Sequence, residues 1–158
     1  MHFEHEQHEK THEKVHVFLT ELFDSPHLDP ANGHFYVGYG STVLEVSVEP
    51  YGPEDTLLEV TSYCVQGIEP SEELALGLLQ LNHQLPIGAF SVVGKDIFFS
   101  QALLGRSLDR RSLLGTIAAV ANVSDEYDDR IVERYGGQTA LDRIRDTGGR
   151  KKRREAAS

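Results

Sequence analysis

Four histidines near the start of the chain, His5, His8, His12 and His16, are spaced by three, four and four residues. On a continuous helix those steps carry all four imidazoles along one flank, and histidines four residues apart are a geometry that holds Zn, Ni or Cu. Glu9 and Glu13 follow His8 and His12 directly and could add oxygen contacts. The histidines also continue the apolar stripe of the helix behind them, so protonation near pH 6 would weaken whatever that stripe packs on. Against a metal site, the intervening Glu and Lys residues suit a solvated helix, and no second ligand cluster with firm spacing occurs elsewhere. A regulator that senses metal or pH through this helix is therefore the second functional reading.

Other chemistry is weaker. Cys64 is the single cysteine, and His34 and His83 are the bases that could activate it, but it falls in register with Leu58 and Val60 and reads as a core-facing small hydrophobe. Gly38-Tyr39-Gly40-Ser41-Thr42 resembles a phosphate-cradling loop without the following lysine or a strand-loop-helix setting, so a hairpin turn explains it better. Glu45, Glu49 and Glu59 alternate on one strand face, where solvation is the default. The residues assign no catalytic group and call for no cofactor, and the expectation is that the chain is not an enzyme.

Apolar residues in excess of a core are more telling. Phe98, Phe99, Leu103 and Leu104 place bulky groups on both faces of one strand, more than a sheet covered on one side needs. One set should face the helices. The other should be covered by a second subunit, by a client polypeptide, or by the chain's own C-terminal segment. Tyr36 and Tyr39 would add to such a groove, since tyrosine combines contact area with a hydrogen bond.

These residues need elements to place them. From about Glu9 to Asp24, Val15, Phe18, Leu19, Leu22 and Phe23 recur at three- and four-residue steps, the stripe of an amphipathic helix that Pro26 stops. From His34 the period is two. Phe35-Tyr36-Val37 makes a short strand; Leu44, Val46 and Val48 alternate with Val43, Glu45, Ser47 and Glu49 in a second; Leu58, Val60, Ser62 and Cys64 alternate with Leu57, Glu59, Thr61, Tyr63 and Val65 in a third. Pro70-Ser71-Glu72-Glu73 opens a second helix with Leu74, Leu78, Leu81 and Leu85 on one face. Two strand-like runs, Gly88 to Val93 and Ile97 to Leu104, flank Gly94-Lys95-Asp96 as a bulged hairpin. From Asp109 a long helix passes through Leu113, Ile117, Val120, Ala121, Ser124, Tyr127 and Ile131 to Gly136-Gly137, and a short helix is expected over Thr139 to Arg145. The order predicts an α+β fold, a three-stranded antiparallel meander and a two-stranded hairpin with helices on one side of the sheet.

At 158 residues the chain fits one domain, expected over 15–147, with a histidine-rich extension of the first helix over 1–14 and a basic disordered tail over 148–158. That tail holds Arg150, Lys151, Lys152, Arg153 and Arg154, while residues 1–149 carry 10 Lys and Arg against 24 Asp and Glu, a net −14. A body so acidic repels phosphate backbones, which leaves nucleic-acid contact to the tail alone. No apolar run is long enough to span a bilayer, and no signal peptide is legible, so the expected location is the cytoplasm.

Three stretches resemble one known family. Leu78-Leu79-Gln80-Leu81-Asn82-His83-Gln84-Leu85-Pro86-Ile87-Gly88-Ala89-Phe90-Ser91, then Ile97-Phe98-Phe99-Ser100-Gln101-Ala102-Leu103-Leu104, and the long helix through Asp125-Glu126-Tyr127 look like those of the YbjN-type proteins, described as sensory transduction regulators. Those proteins share a fold with type III secretion chaperones, and with the element order the resemblance covers about Val15 to Tyr135. It implies a compact homodimer without enzymatic activity, whose relatives hold an extended segment of a client protein against apolar grooves, and it brings no catalytic residues. The histidine-rich start and the basic tail depart from the family's pattern. The leading expectation is a homodimeric, chaperone-like or regulatory adaptor that captures an extended or amphipathic segment of a client of unknown identity.

Overall fold

The residues described by the computed structural model (1–139 and 142) form seven strands and three α-helices, and the helices and the five longer strands follow the periodicity of the sequence. Helix α1, Glu6–Leu22, starts earlier than its apolar stripe because the His5 imidazole caps it, with Nδ1 accepting the His8 N–H at 3.1 Å. The chain then turns extended at Phe23 before Pro26. Strands β1 (His27–Leu28), β2 (Phe35–Tyr39), β3 (Thr42–Tyr51) and β4 (Asp55–Gln66) run as an antiparallel meander.

Helix α2, Glu72–Gln84, is capped by the Ser71 hydroxyl, which accepts the Leu74 N–H at 3.1 Å. Its last turn is tied to the following strand by Asn82. The Asn82 amide donates to the Phe90 carbonyl at 3.1 Å and its oxygen accepts the Phe90 N–H at 2.7 Å. Strands β5 (Ala89–Val93) and β6 (Asp96–Leu104) form a hairpin. Just before β5, Gly88 has φ +73, and a Cβ there would run into the Phe99 ring, so the Pro86-Ile87-Gly88 link admits only glycine at that point. After a single 3-10 turn at Gly105–Ser107, helix α3 covers Arg110–Tyr135. Asp109 caps it, accepting the Ser112 N–H at 2.6 Å while the Ser112 hydroxyl accepts the Asp109 N–H. Strand β7, Gln138–Thr139, closes the described chain.

The strand order is β1-β2-β3-β4-β6-β5, with β7 pairing Val65 and Gln66 at the end of β4 beyond its last pair with β3. Helices α1 and α3 pack against β3 and β4, α3 also against β6, and α2 lies by β5. Phe35, Val37, Leu44, Val46, Val48, Leu58, Val60 and Phe99, none more than 5% exposed, meet Val15, Leu19, Leu113, Ile117 and Val120 of the helices. The α+β fold with helices on one side is the one the sequence predicts. β1 and β7 escape the sequence pattern because two residues carry no period. The β5–β6 hairpin closes without a bulge, Val93 opposite Asp96; the register shift lies in β4 instead, between Tyr63 and Val65, where Cys64 and Val65 are both buried. The expected short helix over 139–145 begins on a residue that is in β7; the rest of it, apart from Asp142, and the tail over 148–158 lie outside the described residues.

Candidate functional site

The histidines of α1 are not equivalent. His8 and His12 point inward, His5 is half-buried at the cap, and His16 is exposed. His8 Nε2 lies 2.9 Å from the Val48 carbonyl and His12 Nε2 lies 2.8 Å from the Gly33 carbonyl. A carbonyl only accepts, so each Nε2 carries its proton and donates. The His8 Nδ1 accepts the Glu4 N–H at 3.3 Å, and the His5 Nδ1 is the helix cap. Hydrogen bonds thus occupy both nitrogens of His8, Nε2 of His12 and Nδ1 of His5, each with a backbone partner. Among the described residues no group of three or more His, Cys, Asp or Glu is placed to hold a metal ion. Around His12 pack Phe3, with ring centroids 5.3 Å apart, and Phe35 at 4.6 Å. Burial pushes the His12 imidazole below its ordinary pKa, partly offset by the Gly33 carbonyl that its protonated form also satisfies.

Cys64 faces the helices as its register predicts. Its Sγ lies 3.7 Å from the Ser124 carbonyl, and burial pushes the thiol up to about 12. His34 is on the opposite face of the sheet, bonded to Glu45, and His83 is exposed on α2, so neither activates it.

That opposite face is the larger feature. Across β2, β3, β4 and β6 it presents Tyr36, Val43, Glu45, Ser47, Glu49, Leu57, Glu59, Thr61, Tyr63, Phe98, Ser100, Ala102 and Leu104 in register, and none of them is buried. No described helix packs on it. At one end Tyr63 and Phe98 meet edge to face, centroids 4.9 Å apart, beside Val43 at 48% exposed. At the other end stand Leu57, Leu104 and, in the last pair of β3 and β4, Tyr51. Between them lie the small side chains of Ser47, Thr61, Ser100 and Ala102. The six residue steps from Leu57 to Tyr63 span about 20 Å of strand, so the shallow middle has room for a polypeptide segment between two apolar ridges.

The sheet therefore divides the six residues expected to meet a partner. Phe98, Leu104 and Tyr36 are on the open face; Phe99 is fully buried on the helix side, and Leu103 and Tyr39 are half-buried against the same core. Tyr63, Val43 and Leu57 complete the open face, a role the sequence hides because alternation gives the parity of each strand but not which strands become neighbours.

Glu45 departs from the solvated role expected of it. Its side chain is 15% exposed. Oε1 accepts from His34 Nδ1 at 2.8 Å, and Oε2 accepts from the Tyr63 hydroxyl at 2.5 Å and the Tyr36 hydroxyl at 3.2 Å. Burial, and then the neighbouring carboxylate, hold the Tyr63 hydroxyl well above its ordinary pKa. A carboxylate with both oxygens engaged this way fixes two tyrosines and a histidine on the open face; it is not poised to take a proton from a substrate.

No described helix is long and apolar enough to cross a membrane. A family model matches residues 9–143; it is TY-Chap1, described as T3SS (YopN, CesT) and YbjN peptide-binding chaperone 1. No curated protein matches the chain significantly.

Proposed function

The chain belongs to the TY-Chap1 family of peptide-binding chaperones, and we propose that it works as a non-catalytic homodimer that holds an extended or amphipathic segment of a client protein on the open face of its sheet. The observation that carries this reading is the open face itself, where Tyr63, Phe98, Val43, Leu57 and Leu104 are held in place by neighbours and by Glu45 yet have none of the described residues packed above them. The working unit is one domain over 15–147, with the first turns of α1 packed onto it.

A different surface suits the second copy. On α2, Leu76 and Leu79 are 54% and 65% exposed, and next to α2 the edge strand β5 exposes Val93 at 63%. A free strand edge flanked by bare leucines is what an isologous contact covers. The test uses light scattering and a hydrophobic fluorescent dye on the full chain. The expected result is a mass twice 17.6 kDa that Leu79→Asp halves, and dye binding that Val43→Asp with Phe98→Asp removes while the dimer and the circular dichroism persist. A monomeric wild type sinks the dimer, and unchanged dye binding in the double variant sinks the open face.

A second reading, regulation by pH through α1, is favoured by the burial of His12 in its neutral form against Phe35 and the Gly33 carbonyl. Acid would then loosen α1 from the edge of the sheet that bears β2 and β3.

A further inference from the structure

The strands of the sheet contain Glu45, Glu49, Asp55, Glu59 and Asp96 and not one Lys or Arg. Each described Lys or Arg is on a helix or a turn. Lys10, Lys14, Arg110, Arg111, Arg130 and Arg134 belong to α1 and α3, Lys95 to the β5–β6 turn, and Arg106 to the 3-10 turn, where it pairs with Asp55. In contrast to the helices, where Lys10 pairs with Glu6, Arg110 with Glu21 and Arg134 with Glu73, the middle of the open face has carboxylates with no Lys or Arg of the described residues beside them. Among the described residues histidine is the one nitrogen base there: His34 bonds Glu45 and lies 3.4 Å from Glu49, and no ion pair among them reaches Glu59.

Apolar ridges at the two ends and, between them, carboxylates without a described Lys or Arg define a complementary ligand. From this arrangement we propose that the segment held on the open face is cationic, bulky apolar side chains seating on Tyr63, Phe98 and Val43 and on Leu57 and Leu104 while Lys or Arg side chains reach Glu59 and Glu49. The inference rests on the reading of this face as the client surface. An acidic segment of the same apolar pattern is refused, because its charges would meet Glu45, Glu49 and Glu59 across a partly dehydrated contact. Aromatic rings at Tyr63 and Phe98 add to the preference, since a ring face attracts a cation.

The test measures binding of two synthetic peptides to the full chain by calorimetry. Both have one apolar pattern of Leu and Phe, with Lys at every polar position of the first and Glu at every polar position of the second. The expected result is that the Lys peptide binds at least about tenfold more tightly at low salt and that the gap narrows at high salt. Glu49→Gln with Glu59→Gln should weaken the Lys peptide about tenfold, while Glu72→Gln with Glu133→Gln, an equal change of net charge on α2 and α3, should leave it nearly unchanged. Equal binding of the two peptides, or equal losses in the two double variants, overturns the cationic client but leaves the open face as the client surface. Binding of neither peptide takes down both.

Discussion

Phe98 and Phe99 are neighbours in β6 on opposite faces of one sheet, and their surroundings differ as the two faces do. Phe99 is fully buried, its ring tilted against that of Phe90 at 4.8 Å and roofed by the backbone at Gly88. Phe98 is half-buried and has, among the described residues, a single ring partner, Tyr63. The contrast holds along the strands. On the helix side the few polar groups are paired across the layers, Ser62 with Ser124 at 2.7 Å and Thr56 with Thr11 at 3.0 Å, as groups hidden from water must be. On the open side, carboxylates and tyrosines form a layer that nothing in the described chain covers.

The two phenylalanines break that comparison most directly. Phe99→Ala empties a filled site and should cost about 3–5 kcal/mol, whereas Phe98→Ala, with less to lose, should cost under about 1 kcal/mol. Urea unfolding followed by circular dichroism checks both. If the two substitutions cost the same, the open face is part of the folding core and its role as a binding surface falls.

Asn82 tests where the covered face is thinnest, at the β5 edge. Asn82→Ala leaves the Phe90 N–H and carbonyl without their partners and should cost about 1–3 kcal/mol. The loss should appear first as faster amide hydrogen exchange at Phe90, because β5 has β6 on one side only. An unchanged exchange rate would mean that packing of Leu78 and Phe90, not the amide clasp, joins α2 to the sheet.

How much of this was legible in the sequence follows from the same division. Period-two alternation put Leu44, Val46, Val48, Leu58, Val60, Ser62 and Cys64 on one face, and the structure keeps every one of them there. The three helices followed from stripes at three- and four-residue steps and from caps such as Ser71 and Asp109. The open face was half legible, since the excess of bulky groups at Phe98 and Leu104 marked it. Neighbours across strands were not. Tyr63 meets Phe98 because β6 inserts beside β4, leaving β5 at the edge, a choice made by tertiary packing that no local pattern records. Glu45 was misjudged for the same reason, as His34, Tyr36 and Tyr63 reach it from two neighbouring strands and the turn before one of them. The histidine spacing of α1 was visible, but the backbone carbonyls of Val48 and Gly33 that bind two of them belong to distant residues.

Titration of α1 gives the smallest effect and sharpens the boundary between the faces. His12 has the Gly33 carbonyl and Phe35 before it, Phe3 beside it, and His8, His16 and Glu13 as charged or chargeable neighbours on its own helix. Its folded pKa lies below the unfolded value of about 6.5, so the neutral form favours folding. That contribution is complete above the unfolded pKa and is lost as pH falls through the folded pKa. Stability should therefore be lower at about pH 5.5 than at about pH 7.5. His12→Gln keeps an amide N–H near the position of Nε2, so it should preserve most of the stability at high pH while reducing the drop on acidification. Urea midpoints at the two pH values measure it. If the variant loses as much stability in acid as the wild type, the pH response comes from other groups and His12 does not couple α1 to pH.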